Sequence, residues 1–83
     1  MRETRSIEFS PLALSVWGKR VMWMRSTYDL SYPAIAKEVG MDLWAIRKMV
    51  NDPAYEPSHS RGQRFIRYYK RLLRQYYASH RRD

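Results

Sequence analysis

YPAIAKEVGMDLWAIRKMVN, residues 32–51, reads as two short helices joined by a tight turn. Ser31 can cap the orphan amides of the first, whose opening turn tolerates Pro33 because a first-turn amide has no intrahelical partner. Gly40 suits the left-handed residue that ends this helix near Val39 and turns the chain. Asp42 is placed to cap the second helix, which Pro53 stops near Asn51 by disfavouring helical geometry at Asp52. Two helices crossing steeply need a small residue where they meet, and Ala36 stands there. Ile35, Val39, Met41, Ile46 and Met49 supply apolar contacts. That pattern, residues 31–51, is a helix-turn-helix.

Upstream, Leu14, Trp17, Val21, Met24 and Tyr28 recur in steps of three and four and predict an apolar helix face ending near Thr27. Its start is Ser10-Pro11 or Ser15, either of which can cap it. Residues 1–9 have no apolar period and read as a frayed arm, with Ile7 and Phe9 the side chains able to dock. Downstream, residues 52–60 read as a loop with two Pro. From about Arg61 to Ala78, Phe65, Ile66, Tyr69, Leu72, Leu73, Tyr76 and Tyr77 keep helical spacing. Arg64, Arg67, Lys70, Arg71 and Arg74 fill the other faces. The expected fold is a compact all-α domain of four to five helices, with the helix-turn-helix and a long basic C-terminal helix. At 83 residues, two halves would each be too small for a core, so residues 1–83 read as one domain.

The net charge is +8, and it is unevenly spread. Residues 1–52 hold 8 basic and 6 acidic side chains, whereas residues 53–83 hold 8 and 2. Such an excess calls for a polyanion, either nucleic acid or an anionic membrane surface. The arginines spread around the last helix do not suit a membrane-facing amphipath. With no Cys, disulfides and thiolate zinc sites are excluded. His59 and His80 stand apart from any ligand cluster, and no nucleophile-base pair or phosphate-cradling Gly loop is present, so neither metal, cofactor nor catalysis is expected. No apolar run reaches the ~20 residues of a membrane span and no signal-peptide core follows the N-terminus, which points to the cytoplasm.

Leu30-Ser31-Tyr32-Pro33-Ala34-Ile35-Ala36-Lys37-Glu38-Val39-Gly40-Met41 resembles the helix-two signature of the lambda-repressor-like family of phage and bacterial regulators, the Cro and repressor group. The likeness covers roughly residues 15–75. It departs from the family at Tyr32 and Pro33, where a Gln often starts the helix, and in having one long basic helix after the loop. The resemblance implies a phage or prophage repressor-type regulator, binding an inverted-repeat double-stranded DNA operator as a homodimer. It places Asp42, Leu43, Trp44, Arg47, Lys48 and Asn51 at the DNA.

The residues agree with this placement, because inward Ile46, Met49 and Val50 leave Trp44, Arg47, Lys48 and Asn51 outside. Arg47 or Lys48 can donate to guanine and Asn51 can pair with adenine. Leu43, Trp44 and Ala45 suit thymine methyls, or Trp44 packs on the sugar-phosphate wall or on the last helix. Tyr32, Arg61, Arg64, Arg67 and Arg71 are the expected phosphate contacts. No small-molecule ligand and no membrane is expected. The Tyr68/Tyr69 and Tyr76/Tyr77 pairs exceed what one core face needs and suit a dimer interface. A second reading is a protein-binding module that grips a partner such as RNA polymerase, for which an exposed Trp44 beside Leu43 is suited.

Overall fold

The computed structural model describes residues 14–80. The expected arm, its docking residues Ile7 and Phe9, and the Ser10-Pro11 start lie outside them. Among the described residues the chain forms α1 (Val16–Tyr28), α2 (Tyr32–Val39), α3 (Leu43–Asn51) and α4 (His59–His80), with no strand. The protein is all-α, with four helices in this span.

Local chemistry sets most of the boundaries. The Ser15 hydroxyl accepts from the Gly18 amide at 3.1 Å and caps α1, and it also donates to the Met49 carbonyl at 3.3 Å, fastening α1 to α3. Helix α1 runs one residue past the expected end and closes on Asp29 at φ 56°, a left-handed conformation that Asp tolerates better than most residues. Ser31 caps α2 through the Ala34 amide at 3.2 Å. Gly40, at φ 71°, ends α2. The Met41 amide then reaches back to the Ala36 carbonyl at 3.0 Å while the Met41 side chain is buried, the hydrogen bond and apolar contact of a Schellman turn.

The starts of α3 and α4 also depart from the sequence expectation. Asp42 holds the cap position of α3 but its side chain makes no capping bond, so its contribution there is charge at the positive helix end. Helix α4 begins at His59 rather than near Arg61, because the Ser58 carbonyl and hydroxyl receive the Gly62 and Arg61 amides at 2.8 and 3.5 Å.

Val21 and Met24 of α1, Ile35, Ala36 and Val39 of α2, Met41, Ala45, Ile46 and Met49, and Phe65 and Leu72 of α4 form one buried cluster. Each large side chain there contributes about 1.5–3 kcal/mol by leaving water. Helices α1 and α2 each pack chiefly on α3 and α4, so α3 and α4 occupy opposite corners with α1 and α2 between them. A Cβ at Gly18 would lie 2.7 Å from the Met49 carbonyl oxygen and 3.4 Å from the Val50 Cα, so this glycine permits the close approach of α1 to α3. The Tyr28 hydroxyl donates to the Leu72 carbonyl at 3.1 Å and ties α1 to α4. Around the half-buried Trp23, the rings of Tyr28, Tyr69 and Tyr76 stand edge-on at 5.6–5.8 Å, an arrangement that favours the ring quadrupoles.

Candidate nucleic-acid interface

Helix α3 is divided into two faces by burial. Ala45, Ile46 and Met49 are wholly buried, while Trp44, Arg47 and Asn51 are exposed and Leu43, Lys48 and Val50 are intermediate. Ala45 was expected beside thymine methyls and does not reach the surface. The reason is that α3 is covered by α1 on one side and α2 on the other, which widens its buried arc beyond the single stripe of a one-sided helix. Of the remaining motif residues, Ile35, Ala36, Val39, Met41, Ile46 and Met49 are buried and Gly40 is at the exposed turn.

Trp44 is 61% exposed. Its indole meets the ring of Tyr55 edge-on at 5.9 Å and lies under the Lys48 ammonium at 5.6 Å. Its partner is therefore the loop after α3. Lys48 also pairs with Asp52 at 3.2 Å, one turn on. The Asp52 carboxylate accepts from the Ala54 amide at 3.0 Å, and this bond, followed by the Lys48 ammonium, holds its pKa below the ordinary carboxylate value. Lys48 thus has two interactions on the protein surface that a base contact would exchange. Arg47 and Asn51 project beside it.

The expected phosphate contacts separate into three places. Tyr32 is half-buried at the start of α2 with the Arg25 guanidinium 4.3 Å from its ring centre. Arg61 is exposed at the start of α4. Arg64, Arg67 and Arg71 come together along a groove of about 580 Å³ between α2 and α4, joined by Arg74 and by Lys37 from the opposite wall. Lys37 was not among the expected contacts. A remote residue such as Lys37 carries no local signal that it faces α4. Behind the groove, Tyr68 is half-buried, with the Arg71 guanidinium 5.3 Å from its ring centre. Burial, with Glu38 second, raises the Tyr68 hydroxyl above its usual pKa while Arg71 opposes the rise. The phenol stays neutral at physiological pH.

The tyrosine surplus is smaller than the sequence suggested. Tyr68, Tyr69 and Tyr76 are half-buried against the domain itself, and of the four only Tyr77, 64% exposed, faces outward. Among the described residues no group of three metal-ligating side chains assembles, and no helix is long and apolar enough to cross a membrane. Comparison of the chain with protein-family models, curated proteins and solved structures found no match.

Proposed function

We propose that this is a sequence-specific double-stranded DNA-binding protein, a transcription regulator of phage or prophage repressor type that reads the major groove with α3. The observation carrying the reading is the two-sided character of α3: a completely buried Ala45-Ile46-Met49 face against an outward Trp44, Arg47, Lys48 and Asn51 face, on a Ser31-capped, Gly40-turned helix pair. Such a helix is held rigidly by its core and presents donors of the kind that read base edges. Leu43 and Trp44 supply apolar contact to thymine methyls or the groove wall. Tyr32 and the α4 arginines add phosphate contacts, which raise affinity without carrying sequence information. The protein acts in the cytoplasm, as a homodimer on an inverted repeat.

Selection of bound fragments from random DNA, with sedimentation of the free protein, tests the reading. A recovered consensus and a dimer are expected. On the preferred site, Arg47→Ala or Lys48→Ala should cost about 1–3 kcal/mol while barely changing affinity for unrelated duplex. Recovery of no preferred sequence, or full specificity in the double variant, would reject α3 as a reader. The exposure of Trp44 favours one alternative, a protein-binding surface centred on that indole. In that case Trp44→Ala would abolish capture of the partner and leave DNA affinity unchanged.

A further inference from the structure

The groove between α2 and α4 brings together five cations, Lys37, Arg64, Arg67, Arg71 and Arg74, with Glu38 the single carboxylate on its walls. Among the described residues none of the five has a carboxylate within ion-pair distance. Like charges gathered this way repel one another, and the arrangement is favourable in the presence of a polyanion. A merely solvated helix face does not require a cation from a second helix to complete it.

The spacing narrows the class of polyanion. Arg64, Arg67, Arg71 and Arg74 follow steps of three, four and three, which keeps them on one stripe of α4. At the helical rise they span about 15 Å, the axial run of roughly four phosphates on one strand of B-form duplex. Four of the five cations are guanidinium groups, whose planar fork matches phosphate oxygens two at a time. Arginine clusters also bind acidic peptide motifs, but a protein partner adds apolar or aromatic anchors seated in pockets beside the charges. Here Val39 is buried, Gly40 has no side chain, and Tyr68 is covered in part by Arg71.

The location matters as much as the charge. The groove starts at the turn before α3, where Arg64 Nη1 lies 3.1 Å from the position of a Cβ on Gly40, and runs away along α4. No residue of α3 lines the groove, whose walls are α2, the Gly40 turn and α4, so its cations are presented apart from the outer face of α3. We infer that the Lys37/Arg64/Arg67/Arg71/Arg74 groove is a second nucleic-acid backbone site, holding phosphodiesters outside the segment read by α3. This rests on the reading of the chain as a nucleic-acid-binding protein, but not on base recognition by α3.

The test uses the full chain, a random-sequence 30-base-pair duplex and binding measured across a range of salt. R67Q/R71Q should reduce the slope of log affinity against log salt by about 1.8, and K37Q on the opposite wall by about 0.9, because each phosphate contact contributes about 0.9. K19Q/K70Q removes two exposed charges that do not line the groove and should leave the slope in place. On a 10-base-pair duplex holding only one half of the preferred inverted repeat, the groove variants should bind as the parent does.

An unchanged slope in both groove variants would overturn the proposal in favour of a solvated face. Equal losses in R67Q/R71Q and K19Q/K70Q would reduce it to non-specific polycation behaviour. Equal losses on the short and long duplexes would place the groove on the read segment itself and remove its separateness. Groove-dependent binding of polyglutamate without groove-dependent binding of duplex would reassign it to an acidic protein. Failure of α3 is read separately: a protein with no sequence preference but a groove-dependent slope keeps this site and loses only base reading.

Discussion

The outer face of α3 and the groove between α2 and α4 are both cationic, but they are built on different principles. On α3, Arg47 and Asn51 share the face with an exposed indole, and Lys48 is tied to Asp52 and laid over Trp44. Nearly every side chain differs from its neighbour and several are already positioned by a contact. In the groove, four arginines and a lysine repeat one chemistry, with Glu38 the one opposing charge. Directional, varied groups suit discrimination among base edges, whereas repeated charge suits a backbone that is the same at every step. On the proposed reading, the net +6 of residues 53–83 and the motif of residues 31–51 divide affinity from information rather than duplicating each other.

Changes at shared or unshared structural points can break this contrast selectively. Ala36 is 6% exposed and belongs to α2, which both packs on α3 and forms one wall of the groove. Ala36→Leu should damage both surfaces, with an overpacking cost of about 1–3 kcal/mol. For a chain of this size each kcal/mol lowers the melting temperature by about 4–8 °C. An unchanged melt would remove Ala36 from the crossing.

Gly40→Val should cost about 1–2 kcal/mol through the left-handed backbone at φ 71°, and its side chain would push on Arg64 at the groove mouth. The duplex salt slope should therefore change with the melt; a melt like the parent's would contradict the strain.

Gly18→Ala acts on the other surface. Its Cβ would meet the Met49 carbonyl at 2.7 Å, an overpacking of about 1–3 kcal/mol offset by the ~1 kcal/mol that Ala gains over Gly inside a helix. A net loss of up to about 2 kcal/mol is expected, with amide shifts concentrated in α1 and α3. Shifts centred on α4 would show that the strain is relieved elsewhere.

How far these points were legible depended on whether the responsible rule is local. Ser31, Gly40 and Pro53 each act within a turn of themselves, so the helix pair and its limits follow from adjacent residues. Ser58 was harder, because Pro57-Ser58-His59-Ser60 offers two serines and the choice between them is made by which backbone amides close on which oxygen. Gly18 has no sequence signal as a contact point; a glycine inside a helix pattern reads as a weak position until the Met49 carbonyl of another helix is set against it. Helical periodicity assigns α3 one buried stripe and leaves Ala45 outside it, whereas α3 has two neighbours. Tyr77 keeps the helical spacing of the apolar face of α4, yet that face has already left the buried cluster after Leu72. The groove needed the pairing of α2 with α4, a contact across roughly thirty residues that charge counting cannot supply.

The smallest change sharpens the contrast most. In Asp52→Asn the side-chain oxygen can still accept from the Ala54 amide, so the turn after α3 is kept and only the charge is removed. Thermal stability should barely move, as expected for an exposed ion pair between neighbouring turns. Lys48 loses its partner and the α3 face becomes more like the groove, with more bare charge. Affinity for unrelated duplex should rise more than affinity for the preferred site, so the ratio between them should fall. The same release is reached by pH in the parent protein. A carboxyl whose pKa is lowered on folding keeps its partner above the ordinary carboxylate range and loses it as pH falls through the lowered value. The Ala54 amide resonance, which reports the first cause of that shift, should therefore titrate below the usual Asp range in the parent and not in Asp52→Asn. A resonance that titrates at the ordinary value, or a specificity ratio unchanged by Asp52→Asn, would show that Lys48 is not restrained by Asp52 and that α3 owes its discrimination to Arg47, Asn51 and Trp44 alone.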